Sequence, residues 1–187
     1  MTFTNLTNHF LIAMPGLHDP NFEKTVTYIC EHSSTHGAMG IVVNTPIDIH
    51  MSEILKQLNI EQNLSADEDS SIYLGGPVSS DRGFVLHEST TTWDSTLVVR
   101  EGISITTSRD ILQAIACGEG PAKRLLALGY AGWSPGQLEA ELSANAWLCG
   151  PADNSIIFDL PASQRWQAAA GDLGVDLSLL STETGHA

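Results

Sequence analysis

Residues 25–43 read TVTYICEHSSTHGAMGIVV, and this stretch decides the fold class. Thr25 to Cys30 is β-branched and aromatic, the composition of a strand. Ser33 to Gly37 is a short polar loop, and Ala38 to Val43 is apolar again before the turn signal Asn44-Thr45-Pro46. Two strands joined by so short a loop form an antiparallel hairpin, because a parallel pair needs a crossover of a dozen or more residues.

Outward from this hairpin, strands continue to outnumber helices. Phe10 to Met14 is a short apolar run closed by Pro15-Gly16. Further strands are expected at Ser71–Leu74, Gly83–Leu86, Thr96–Val99, Ile103–Thr106, Arg124–Tyr130, Trp147–Cys149 and Ile156–Phe158. Helical spacing is clear in three places. Met51, Ile54, Leu55 and Leu58 share one face. Ile111, Leu112, Ile115 and Ala116 share another, between the cap Ser108 and the stop Gly118. Trp166, Ala169, Ala170 and Leu173 share a third, after Pro161 and before Gly174. Ser134-Pro135-Gly136-Gln137 reads as a capping box starting one more helix at Ser134, with Leu138 and Leu142 facing inward. Asp67-Glu68-Asp69 reads as a solvated charge run. Without strict βαβ alternation, the order points to an α+β fold whose helices pack on one curved, mixed, largely antiparallel sheet. No repeat or linker divides the chain, so one domain is expected over residues 1–187.

Composition narrows function by exclusion. The chain carries 22 acids against 8 bases, a net charge of −14. Such a field repels a phosphate backbone, so direct nucleic-acid binding and attachment to an anionic membrane surface are not expected. No apolar run approaches the ~20 residues of a membrane span, and no Lys or Arg precedes Lys24 to form a secretory leader. A cytoplasmic protein is the expectation. Cys30, Cys117 and Cys149 form no C-x-x-C pair and lie among apolar neighbours, so buried free thiols are expected. Glu31, His32 and His36 lack a fourth ligand and helical spacing; no metal and no cofactor is expected.

Polar side chains nevertheless gather around the hairpin and the Arg82–His87 segment. Strands ending at Glu31-His32 and at His87 would bring Glu31, His32, Asn44, Arg82 and His87 to one edge of the sheet, as a site for a small ligand or protein partner. Each has a structural alternative. Arg82 can pair with Asp81 or Glu31, Asn44 can close a turn, and the histidines can satisfy carbonyls. Gly75-Gly76 before Pro77 permits either a tight turn or a backbone cradle for an anion. No G-x-S-x-G nucleophile elbow is present. Two functions compete: a non-enzymatic regulatory or ligand-binding protein that acts indirectly, and a hydrolase using His87 or His32 as base near Arg82.

Several segments together resemble the AlgH/YqgE family of bacterial proteins. They are Phe10–Pro15, Asp19–Phe22, Glu31-His32 with Gly37–Gly40, Asn44–Pro46, Gly75–Val78, Arg82–His87, Gly129–Trp133, Gly136–Glu139 and Gly185–Ala187. The resemblance spans nearly the whole chain in order. It implies a compact α+β fold with a bent, bifurcated sheet forming a pseudo-barrel, a bacterial cytoplasmic setting, and a regulatory role of the kind behind the family name. It carries no catalytic residue over to this chain. Thr45 stands where the family pattern has arginine, so no anion-binding role of that arginine transfers here.

Overall fold

The structure is a computed structural model that describes residues 4–180. The terminal Gly185–Ala187 segment lies outside the described residues. The N-terminal hairpin forms as its sequence dictates. Strands β2 (Val26–Ser33) and β3 (Gly37–Val42) pair antiparallel, with Tyr28 opposite Ile41 and Ser33 opposite Gly37. Strand β1 (His9–Ala13) lies beside β2. Strand β4 (Pro46–His50) runs directly into helix α1 (Met51–Gln57). Strands β5 (Ser71–Leu74), β6 (Val78–Glu88), β7 (Thr96–Arg100) and β8 (Ile103–Thr106) follow, then helix α2 (Arg109–Ala116) and the long strand β9 (Lys123–Trp133). The chain continues through α3 (Gln137–Ser143), β10 (Trp147–Pro151), α4 (Asn154–Phe158), α5 (Ala162–Asp172) and α6 (Leu177–Leu180).

The strands form one curled, α+β half-barrel sheet in the order β10-β1-β2-β3-β9-β6-β8-β7, with β4 and β5 branching off β9. Every pair is antiparallel except β5 with β9. Strand β9 is where the sheet forks. Its residues Lys123–Leu128 and Tyr130 pair with β6; in its first half Ala127 and Leu128 also pair with β5, whereas in its second half Ala131–Trp133 pair with β3. Gly129, at φ +76°, stands between the two halves, and a Cβ there would fall 2.4 Å from the Gly76 carbonyl oxygen. Gly75-Gly76 is thus a tight turn pressed on the fork: the Gly75 N–H donates to Leu128 O and its carbonyl accepts from Val42 N–H, both at 2.8 Å.

Core packing shows which face is inside the curl. One face gathers a continuous cluster from β1 through β8 (Phe10, Tyr28, Ile41, Leu86, Ile103) together with Ile156, Ile157, Ala169, Ala170 and Leu177 of α4, α5 and α6. The other face carries two separate clusters. One packs α3 through Leu138, Trp133 and Trp147, and the other packs α1 and α2 through Met51, Leu55, Ile111 and Ile115. The C-terminal helices therefore fill one end of the concave face. Arg165 of α5 anchors them: 6% exposed, it donates through Nη1 to Val43 O and through Nε to Leu160 O at 3.0 Å, with its guanidinium 5.2 Å from the Tyr73 ring centre.

Three local expectations are corrected. Ile156–Phe158 is helix α4, not a strand, because Asp153 Oδ1 accepts from the Ser155 N–H and hydroxyl at 2.8 and 2.7 Å and starts a helical turn. Helix α3 begins at Gln137 rather than near Ser134. Gly136 at φ +80° turns the chain first, and only half of the capping box forms, Gln137 Oε1 accepting from the Ser134 N–H at 3.0 Å. In the acidic run, Asp67 and Glu68 are exposed, but Asp69 accepts from both the N–H and hydroxyl of Ser52 at 2.7 Å and caps the first turn of α1.

Candidate functional site

The two-residue side-chain period of a strand distributes the polar candidates between faces. On β6, Arg82 and Phe84 point toward the concave face, and the guanidinium lies 5.5 Å from the Phe84 ring centre. Gly83 and Val85 point the opposite way, and His87 follows their parity. On β2 the register shifts between Ile29 and Glu31. A bulge of this kind re-aims the side chain that follows it. Glu31 thereby faces the concave side beside Met39, while His32 joins the outer face with Ala38.

The end of the concave face left open by the C-terminal helices is a groove of about 690 Å³. It crosses the sheet from Glu31 on β2, past Met39 on β3 and Tyr130 and Gly132 on β9, to Arg82 and Phe84 on β6, Ile105 on β8 and Leu97 on β7. Glu31 and Arg82 both line it, and neither forms an ion pair among the described residues. His36, Tyr130, Ser95 and Thr107 line the groove too, and sequence reasoning missed their part in it.

The other three expected site residues are engaged elsewhere. His32 Nδ1 accepts from the Leu6 N–H at 3.0 Å, which places the ring proton on Nε2, where it donates to Glu139 Oε1 at 3.0 Å. Asn44 Oδ1 accepts from the Val26 N–H at 2.8 Å, and its Nδ2 donates to Lys24 O at 2.9 Å, fastening the start of β2. His87 is 0% exposed. Its Nε2 lies 2.9 Å from Thr106 Oγ1, itself 2.8 Å from Thr96 Oγ1, and its ring packs edge-on to Trp93. Burial lowers the His87 pKa to about 4, so the ring is neutral near pH 7. The groove therefore holds Glu31 and Arg82 but not His32, Asn44 or His87.

Other reactive groups lie apart from the groove. Cys30 is buried, and burial pushes its thiol pKa up; burial raises Cys149 to about 11. Cys117, expected to be buried, is exposed because it caps the solvent end of α2. Trp133 and Trp147 are core aromatics of the outer face, and both indole N–H groups donate to Glu141 Oε2 at 2.9 Å. A second cleft of about 600 Å³ lies on that face between α1 and α2, lined by Ile54, Leu58, Leu112 and Leu128; Arg109 Nη2 donates to Leu58 O at 2.6 Å. Among the described residues no helix is long and apolar enough to cross a membrane.

Comparison with known proteins places this geometry in context. Residues 10–178 match the AlgH-like family. A UPF0301 protein of Thioalkalivibrio sulfidiphilus is 58% identical over 184 residues, 98% of each chain. One of Methylococcus capsulatus is 54% identical over 181 residues, 97% of this chain and 96% of that one. The solution structure of the AlgH protein from Pseudomonas aeruginosa superposes with a TM-score of 0.80 at 53% identity, covering 100% of this chain and 98% of that one. A crystal structure from Corynebacterium diphtheriae shares the fold at 20% identity, with a TM-score of 0.73 over 97% of this chain and 94% of that one.

Proposed function

The chain belongs to the AlgH-like family, and on that premise we propose that it is a non-enzymatic cytoplasmic binding protein with a regulatory role, whose ligand or protein partner occupies the concave groove. One observation carries this reading: Glu31 and Arg82 line an apolar-floored groove and have no ion-pair partner among the described residues. An exposed carboxylate and guanidinium held in a concave groove beside Phe84 and Tyr130 are suited to recognise a polar partner.

The hydrolase alternative needs a histidine that can reach substrate. His87 has a hydroxyl within 2.9 Å, but both His87 and Thr106 are fully buried, and a ring with a pKa of about 4 is a weak base near neutral pH. His32 is buried between Leu6 and Glu139. These placements count against His87 and His32 as catalytic bases.

A thermal-shift screen of metabolites and nucleotides tests the reading. A compound at 100 times its Kd stabilises the folded state by ~2.7 kcal/mol, which raises the melting temperature of a chain this size by about 5–10 °C. Arg82→Ala is expected to melt within ~2 °C of wild type, as an exposed substitution does, and to lose the shift. Shifts that survive both Arg82→Ala and Glu31→Ala would place the ligand elsewhere. Regulation through a partner also implies that purified protein does not retain duplex DNA at ~150 mM salt, since its −14 charge opposes a polyanion. Gel-shift titration checks this, and submicromolar, salt-sensitive binding would contradict it.

A further inference from the structure

The groove ends at an open sheet edge. Strand β7 terminates the strand order and pairs with β8 alone among the described strands. Native edge strands are usually guarded by lysine, proline or a covering loop. β7 reads Thr96-Leu97-Val98-Val99-Arg100, without lysine or proline, and Leu97 and Val98 are 40% and 56% exposed. The two side chains point to opposite faces, and Leu97 lines the groove. Val78, 38% exposed, lines the groove as well. β7 shifts register between Val98 and Arg100, so its open, regularly paired edge is Thr96–Val98, and this edge borders the cavity that carries Glu31 and Arg82.

We infer that β7 accepts an extended segment of a partner protein as an added strand, with every second side chain of that segment projecting into the groove. This rests on the reading of the groove as the binding site and names its occupant. An added strand runs alongside β7, so its groove-facing side chains meet the β7 end of the groove, beside Leu97 and Ile105. A second copy of this chain is a poorer occupant. Pairing two five-residue strands buries far less than the ~1,200 Å² of a stable interface, and it brings together two chains of charge −14. Charge selects a basic segment: Asp94 and Glu101 flank β7 and are exposed, and Arg100 is the only base from residue 94 to 101. The fitting segment alternates apolar residues, directed at Leu97 and Ile105, with basic residues directed to solvent.

Fluorescence anisotropy with a labelled nine-residue peptide of alternating valine and lysine tests this. The controls are a valine–glutamate peptide and a peptide of the valine–lysine composition with its valines in one block. The wild-type chain is expected to bind the alternating basic peptide at least tenfold more tightly than either control. Val98→Pro, which removes an edge N–H, and Leu97→Ser are each expected to weaken that binding at least tenfold. Leu97→Ser decides the matter if Val98→Pro does not fold by circular dichroism. Equal binding of the control peptides, or binding indifferent to both β7 variants, overturns strand addition. In that event a loss of binding in Glu31→Ala/Arg82→Ala leaves the groove reading standing, and no loss there removes both. A dimer in light scattering that Val98→Pro dissociates would overturn the partner segment in favour of a second copy.

Discussion

Arg165→Ala is expected to lower the free energy of unfolding by ~2–4 kcal/mol, read from the midpoint of urea denaturation. Arg165 is buried, and it donates to the carbonyls of Val43 and Leu160. Truncation leaves both acceptors without that donor, each at ~1–3 kcal/mol, and removes the guanidinium from the Tyr73 ring. Part of this is offset, because burial lowers the Arg165 pKa, which means the charge itself is costly where it sits. Arg165→Met separates the contributions. It keeps apolar packing but not the donors, so a loss near that of alanine assigns the effect to the carbonyls. A loss under ~1 kcal/mol for alanine would show that α5 is held by its apolar face alone, through Ala169 and Ala170.

Acid is expected to destabilise the fold through His87. Its pKa is about 4 in the folded chain against an ordinary 6.5, because burial disfavours the charged ring. Between those values the unfolded chain binds a proton that the folded chain refuses, so stability falls as pH drops from about 6.5 toward 4. The loss reaches ~3 kcal/mol at the low end and vanishes above about pH 7. His87→Leu removes the titrating group while Thr106 keeps its partner Thr96. The variant is expected to cost no more than ~1 kcal/mol at pH 7.5, the worth of one hydrogen bond, and to exceed wild type in stability near pH 4.5. Urea titrations of both proteins at several pH values decide this; parallel pH profiles would show that His87 does not carry the effect.

The fold was legible where periodicity is strong. The hairpin of β2 and β3 and the apolar face of α1 were readable because each keeps its period over at least one full element. Ile156–Phe158 misled because two adjacent isoleucines suit either a buried strand or a short helix wedged between a sheet and α5. The cap that decides it, Asp153, lies outside the apolar run. The site was half legible. Residue types near the hairpin and in Arg82–His87 marked the region, but which face each occupies depends on strand parity and on the β2 register shift. A one-residue slip exchanges the faces of a strand. That is why Glu31 reaches the groove while His32 faces Glu139, and why Arg82 reaches it while His87 is sealed behind Thr106. Nothing local in the sequence marks Arg165 as an anchor, because its partners, Val43 and Tyr73, are distant in sequence.

The most direct test of the groove as the working surface is a growth competition in which a strain lacking this protein carries wild type, Glu31→Ala/Arg82→Ala, or His87→Leu, with each purified variant melted in parallel. The account predicts that the double variant melts within ~2 °C of wild type and fails to restore fitness, while His87→Leu restores it at neutral pH. Full complementation by the double variant at wild-type protein levels would contradict the account.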